Sequence, residues 1–129
     1  MARDGRSRDA GSAPAEFALV GGLLVLVFLA VVQLAVAIHV RNTLVASAAD
    51  GARVGAQAGR TLAAAEARTR ELVRRSLTPS YPTDVSARRV LVGGVAMVEV
   101  EIAAPLPVIG LLGPGSNLDV TAHAVVEQP

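Results

Sequence analysis

The chain has no cysteine, no tryptophan and no lysine, and aromatic residues make up only 2% of it: Phe17, Phe28 and Tyr81. Without cysteine there is neither a disulfide framework nor a thiolate zinc site, so a small outer domain has to hold together by packing or by partners. With so few rings, its core must be assembled from Val, Leu, Ile and Ala and will be modest. His39 and His123 stand in different regions with no second histidine at ligand spacing, so no metal site is expected. The 12 basic residues are scattered among 11 acidic ones, which leaves no positive face for nucleic acid. No serine, histidine and acid arrangement, phosphate loop or nucleotide fingerprint appears, so neither an enzyme nor a cofactor is expected.

Charge is missing altogether from residues 17–40, between Glu16 and Arg41. From Phe17 to Ile38 every side chain is apolar or glycine except Gln33. A helix over that run extends roughly 33 Å, against about 30 Å for the hydrocarbon core of a bilayer. A chain of 129 residues has too few other apolar faces to enclose a helix that is apolar all round. A transmembrane helix over 17–40, with the lipid bilayer as its surroundings, follows. Ala35-Val36-Ala37 also fits the A-x-A pattern of a secretory cleavage site, but the run is longer than the ~7 to 15 residues of a signal core, and an acid rather than a cation precedes it.

The arginine count does not orient the span. Arg3, Arg6 and Arg8 precede it, and Arg41, Arg53 and Arg60 follow within the window where the positive-inside bias acts. The charge of a free amino terminus, and the fact that long tails translocate largely regardless of their own charge, favour the amino terminus inside and the tail outside.

Glu16 abuts the apolar run, where a carboxylate has to be hydrated, neutralised or paired. As an acid in a first helical turn, with Pro14 tolerated beside it, it would meet the positive end of the helix dipole. A second reading comes from its neighbours. Gly11, four intervening residues, Glu16, Phe17 and an apolar stretch resemble the processing site of type IV prepilins. More closely, Gly11-Ser12-Ala13-Pro14-Ala15-Glu16-Phe17-Ala18-Leu19 is similar to the start of TadE-like proteins, pseudopilins or minor pilins of tight-adherence pilus systems. Asn42-Thr43-Leu44 and Ala48-Ala49-Asp50-Gly51-Ala52-Arg53 resemble the family's alanine-rich stretch, so the likeness spans roughly residues 10–59. Phe17 replaces the tyrosine usual in the major tight-adherence pilins, which favours a minor component.

The resemblance implies a role in assembling a pilus or related secretion fibre. Its partners would be a prepilin peptidase, other pilins or pseudopilins, and platform proteins. It implies a cut between Gly11 and Ser12, a cytoplasmic leader of residues 1–11, and a Glu16 that neutralises a newly made ammonium group on its own or a neighbouring subunit. The reading from a different class is a single-pass anchor that carries a scaffolding or binding module outside the cell and does not assemble.

Beyond Arg41 the chain stays helical in character to at least Gly51. Gly51, Gly55 and Gly59 recur every four residues beside Ala48, Ala52 and Ala56, which reads equally as a close-packing seam and as a hinge or helix end. A second helix is expected over Thr61–Leu77, with Leu62, Ala65, Leu72, Val73 and Leu77 on its apolar side, Glu66 to Arg70 and Glu71 to Arg75 as i, i+4 pairs, and its arginines on a solvated face. Thr78 to Asp84 reads as a loop. Val90-Leu91-Val92, Gly93-Gly94 and the run from Val95 form a hairpin that ends at Pro105 and Pro107, with Val98, Val100 and Ile102 inside and Glu99 and Glu101 on the wet face. Leu106 to Gly115 reads as an apolar connection, and Leu118–Val126 as the last strand, with Asp119, Thr121 and His123 opposite its apolar side. The expected class is α+β and pilin-like: leader 1–11, a TadE-like region 12–59 whose membrane helix continues into a stem, and an outer domain 60–129 with three antiparallel strands covered by helix.

Overall fold

The computed structural model describes residues 12–107 and 117–127. Its elements run α1 (Ser12–Ala56), α2 (Leu62–Ser76), β1 (Asp84–Val92), β2 (Val95–Pro105) and β3 (Asn117–Val125), an α+β chain with a long apolar helix first. Two units divide it, one up to Ala35 and one from Val36 onward, so the boundary falls inside α1.

In the first unit, α1 is apolar on every side, and its large side chains lie open, from Phe17 at 81% exposure through Leu24 at 65% to Phe28 at 66%. Only 6% of its most apolar window is buried, so within this chain it is not a core helix, and it is long enough to cross a membrane. α1 is described from Ser12, with no acid in its first turn. The expectation that Glu16 caps it is therefore corrected, because the dipole's pull fades within that turn. Pro14 sits where an N–H would lack a helical partner anyway.

In the second unit, the rest of α1 has a neighbour. Val40, Leu44, Ala48, Ala52 and Ala56, each four residues on, form a buried stripe with Ser47, Gly51 and Gly55 beside it. α2 contributes Ala65, Thr69 and Val73, and the sheet contributes Val85, Val98, Val100, Ile102, Ala104 and Val120. The helical cover expected over the sheet is this pair of helices. α2 begins at Thr61, whose hydroxyl accepts a hydrogen bond from the Ala64 N–H at 3.2 Å, and Leu77 closes it through its N–H to the Val73 carbonyl.

The strands pair antiparallel in the order β1-β2-β3. Gly93 and Gly94 both take positive φ, 58° and 83°, as a two-residue turn of the hairpin class favours. The same end of the sheet meets the end of α1, because Val126 donates to Ala96 and Glu127 donates to the Ala56 carbonyl. β1 is longer than expected, since Asp84 to Arg89 also belong to it. Asp84 reads as the end of a loop and Val85 to Arg89 carry no strand signal of their own, but β1 is an edge strand with one wet face, and the pairing of Asp84 with Ala103 through Val92 with Val95 sets its length. Of the connection expected over Leu106 to Gly115, residues 108–115 lie outside the described residues, as does the leader 1–11.

Candidate functional site

Three places hold the side chains that matter: the start of α1, the glycine seam, and the wet face of the sheet. At the first, Ser12 opens the described chain, and Glu16 and Phe17 are exposed on the second turn. Gly11 lies outside the described residues, so the geometry of the expected cut is not on view.

At the seam α1 and α2 touch closely. A Cβ built at Gly51 would lie 1.8 Å from the Thr69 hydroxyl oxygen and 2.9 Å from the Ala65 carbonyl oxygen. One at Gly55 would lie 2.7 Å from the Ala65 Cβ and 3.3 Å from a Val98 methyl. Neither position has room for a side chain. Gly59, by contrast, takes φ +76° in the turn between the helices, with open space around it. The seam and hinge readings therefore divide: Gly51 and Gly55 pack, Gly59 turns. The neighbour that the seam requires is α2 of the same chain. Thr69, fully buried, was not legible as a contact residue because its hydroxyl reads as surface. It donates to the Ala65 carbonyl at 2.9 Å, which lets a polar side chain sit in a small-residue interface.

Glu66 to Arg70 and Glu71 to Arg75 form as the spacing predicts. The expectation of a purely solvated arginine face is corrected at Arg70. Its guanidinium donates to the Val85 carbonyl at 2.8 Å, and Glu66 accepts the Ala87 N–H at 3.1 Å. Those are the outward-pointing groups of one stretch of edge strand β1, so this helical pair stands in for a missing strand and closes that edge. Arg68 reaches instead to Asp50 on α1, 2.8 Å away. Glu71 lies between Arg75 and Arg74, and the hydrogen bond from Arg75 is the largest of the influences that hold its carboxyl below the ordinary range.

On the wet face, Arg88, Glu99 and His123 stand in register across the three strands. The expectation that Glu99 is solvated is corrected: it is only 8% exposed. Its flanking neighbours fold over it. His123 Nε2 lies 2.7 Å from Oε2, and Arg88 makes an ion pair with Oε1 without a well-aligned hydrogen bond. Removal from water pushes its carboxyl up, but the hydrogen bond with His123 and the paired charge of Arg88 outweigh that and hold it below the ordinary range. The alternation of acids on β2 reveals the face. The shielding depends on which residues lie opposite on β1 and β3, which sequence spacing does not fix. Among the described residues no group of three or more His, Cys, Asp or Glu is placed to hold a metal.

A family model described as TadE-like protein matches residues 11–53. It covers α1 almost to its end, from the Gly11-Ser12 pair through Gly51 and Arg53, and leaves α2 and the sheet unmatched. Neither a curated protein nor a solved structure matches the chain.

Proposed function

We propose that the chain, whose residues 11–53 match a model of TadE-like proteins, is a minor pilin or pseudopilin that acts in building a tight-adherence pilus or related secretion fibre. α1 crosses the membrane once, amino terminus in the cytoplasm and sheet domain outside. A prepilin peptidase cuts between Gly11 and Ser12, and the cut leaves a new ammonium group four residues ahead of Glu16. A carboxylate at the edge of hydrocarbon is costly unless paired. The ammonium of its own chain or of a neighbouring subunit supplies the pair, so charge pairing is gained when subunits come together. The chain leaves lipid for the fibre by exchanging contacts along the open apolar side chains of α1 for contacts with other helices, which requires no catalysis by this protein.

The observation that carries this reading is the conjunction of a small residue, an acid five positions later and an apolar helix that is exposed over residues 17–36 except at the half-buried Gly21 and Gln33. The test is intact-mass analysis after expression with the cognate peptidase. A mass equal to residues 12–129 supports the pilin route. A full-length chain that still supports pilus assembly as the Glu16→Ala variant overturns it.

One feature favours the second reading, a membrane-anchored scaffold. The unit from Val36 onward has its own core, with Leu44, Val98, Val100 and Ile102 wholly buried, which is what an anchored module requires. That reading predicts an uncut chain whose outer domain works equally well on an unrelated single-pass anchor.

A further inference from the structure

The wet face of the sheet is graded along the strands, and so is the outward side of α2. On the sheet, the rows nearest the Gly93-Gly94 turn are apolar: Val92 opposite Val95, then Val90, Met97 and Val125 in line, with Val92 48%, Val95 43% and Val125 55% exposed. After the Arg88, Glu99 and His123 row, the rows at the other end carry Glu101 between Ser86 and Thr121, then Asp84 and Asp119 flanking Ala103. The net charge at that end is negative. On α2, residues 63, 67, 71 and 74 share the side opposite the buried Ala65 and Thr69. That side begins with the exposed Ala63 and Ala67 and ends with Arg74 and Arg75, at 63% and 68% side-chain exposure, against the single acid Glu71.

The two gradients run the same way. Ala65, near the alanine end of α2, lies against Gly55, which also meets Val98, while Glu127 bonds Ala56, so the alanine end and the apolar rows share one end of the unit. Arg70 bonds Val85, and Arg74 lines a hollow with Thr83, so the arginine end and the acidic rows share the other.

We propose that the wet face of the sheet docks on the outward side of α2 of a second copy, head to tail. Copies related by a shift, both standing the same way up, bring alanines against the valine rows and Arg74 and Arg75 against Glu101, Asp84 and Asp119. A two-fold pairing of the same sheet faces, with its axis along the strands, would instead set Glu101 against Glu101 and Asp84 against Asp119, which is repulsive. Because the two patches lie on different parts of the molecule, the contact is heterologous and does not close on itself as a pair, the geometry of rings and filaments. The proposal deepens the assembly reading, and rests on it only in that both copies are carried in one bilayer.

The native chain has no cysteine, so engineered thiols report this contact directly. The full chain is expressed alone in membranes free of other pilus proteins, as two tagged copies, one with Thr121→Cys and the other with Arg74→Cys or Arg75→Cys. Oxidation is expected to give the mixed disulfide in preference to the Thr121→Cys homodimer. Adding Glu101→Arg and Asp119→Arg to the first copy is expected to lower the mixed product by about tenfold, the size of a modest like-charge penalty. Glu at the remaining position of 74 and 75 in the second copy is expected to restore much of it. Unchanged thermal unfolding of each variant shows that the surface and not the fold was altered. Homodimer as the main product, absence of any mixed product, or a mixed product indifferent to charge reversal would each overturn the proposal. A chain that crosslinks in this way yet is never cut by the peptidase keeps this contact while the pilin reading fails; a cut chain that does not crosslink does the reverse.

Discussion

Gly21 and Gly22 stand on the same helix as Gly51 and Gly55, the first pair among Leu and Val and the second among alanines with Asp50 and Arg53, and the two pairs have different surroundings. A Cβ added at either of the first two meets nothing within 4 Å, whereas at Gly51 it would run into Thr69 at 1.8 Å. The same contrast holds for the larger side chains. Leu24 is 65% exposed and Leu44 is wholly buried. A long helix can thus be apolar for two reasons. Up to Ala35 it offers its surface to a medium or a partner outside the chain, and from Val36 onward it offers one stripe to a cover that the chain itself supplies.

The strongest way to break that comparison is to add bulk to each pair. Gly51→Val is expected to destabilise the sheet domain by at least about 3 kcal/mol, the upper end of ordinary overpacking, because the Ala65 carbonyl, 2.9 Å from the added Cβ, is backbone and yields little. Gly22→Val is expected to leave the unfolding temperature of that domain unchanged. Thermal unfolding of the full chain in detergent, followed by circular dichroism, reads both. Equal losses from the two variants would show that the first part of α1 is packed against the protein after all.

The seam also shows how far the sequence was readable. Period and composition place α2, the Gly93-Gly94 turn and the last strand to within a residue or two, and find α1 while missing its bounds by about five residues at each end, because runs of apolar residues and turn glycines are local signals. The extra length of β1 was hidden. Ser86, Arg88 and Arg89 carry no strand preference strong enough to show, and only pairing with β2 makes them a strand. At the candidate site, Gly51 and Gly55 were singled out as small, but small residues name no neighbour. Glu66 and Arg70 read as an i, i+4 pair with the arginine on a solvated face, and Glu99 as a wet-face acid, since such spacings say nothing of what lies across from them. Burial of Glu99 by Arg88 and His123 is a property of three strands at once.

A second prediction sharpens the contrast between the guarded and unguarded parts of the fold. Glu66→Ala removes the acceptor of the Ala87 N–H and frees Arg70, so β1 is exposed along its outer side. The expected cost is about 1–2 kcal/mol, the range for a lost, partly buried hydrogen bond. Hydrogen exchange at Ala87 should accelerate while that of Val100, in the central strand, changes only with global stability. Protection at Ala87 that survives the change would mean the clamp is not what closes this edge. Smaller again is Thr61→Ala, which takes away the bond that starts α2 and is expected to cost about 1 kcal/mol. It should leave the helicity of residues 12–35 untouched, since nothing at Thr61 bears on that unit.

The smallest effect concerns acid. Glu99 is held below the ordinary carboxylate value of 4.5, because the hydrogen bond with His123 and the paired charge of Arg88 outweigh the penalty of leaving water. A carboxyl whose folded value lies below its unfolded one binds fewer protons when folded than when unfolded. Its contribution to stability is therefore complete above the unfolded value and is lost as pH falls through the folded one. Unfolding of the native chain should therefore grow easier as the solution drops below about pH 4.5, with Glu71, shifted the same way, adding to the slope. In Glu99→Gln that slope should shrink. A slope as steep in Glu99→Gln as in the native chain would assign the acid sensitivity to groups other than the Arg88, Glu99 and His123 row.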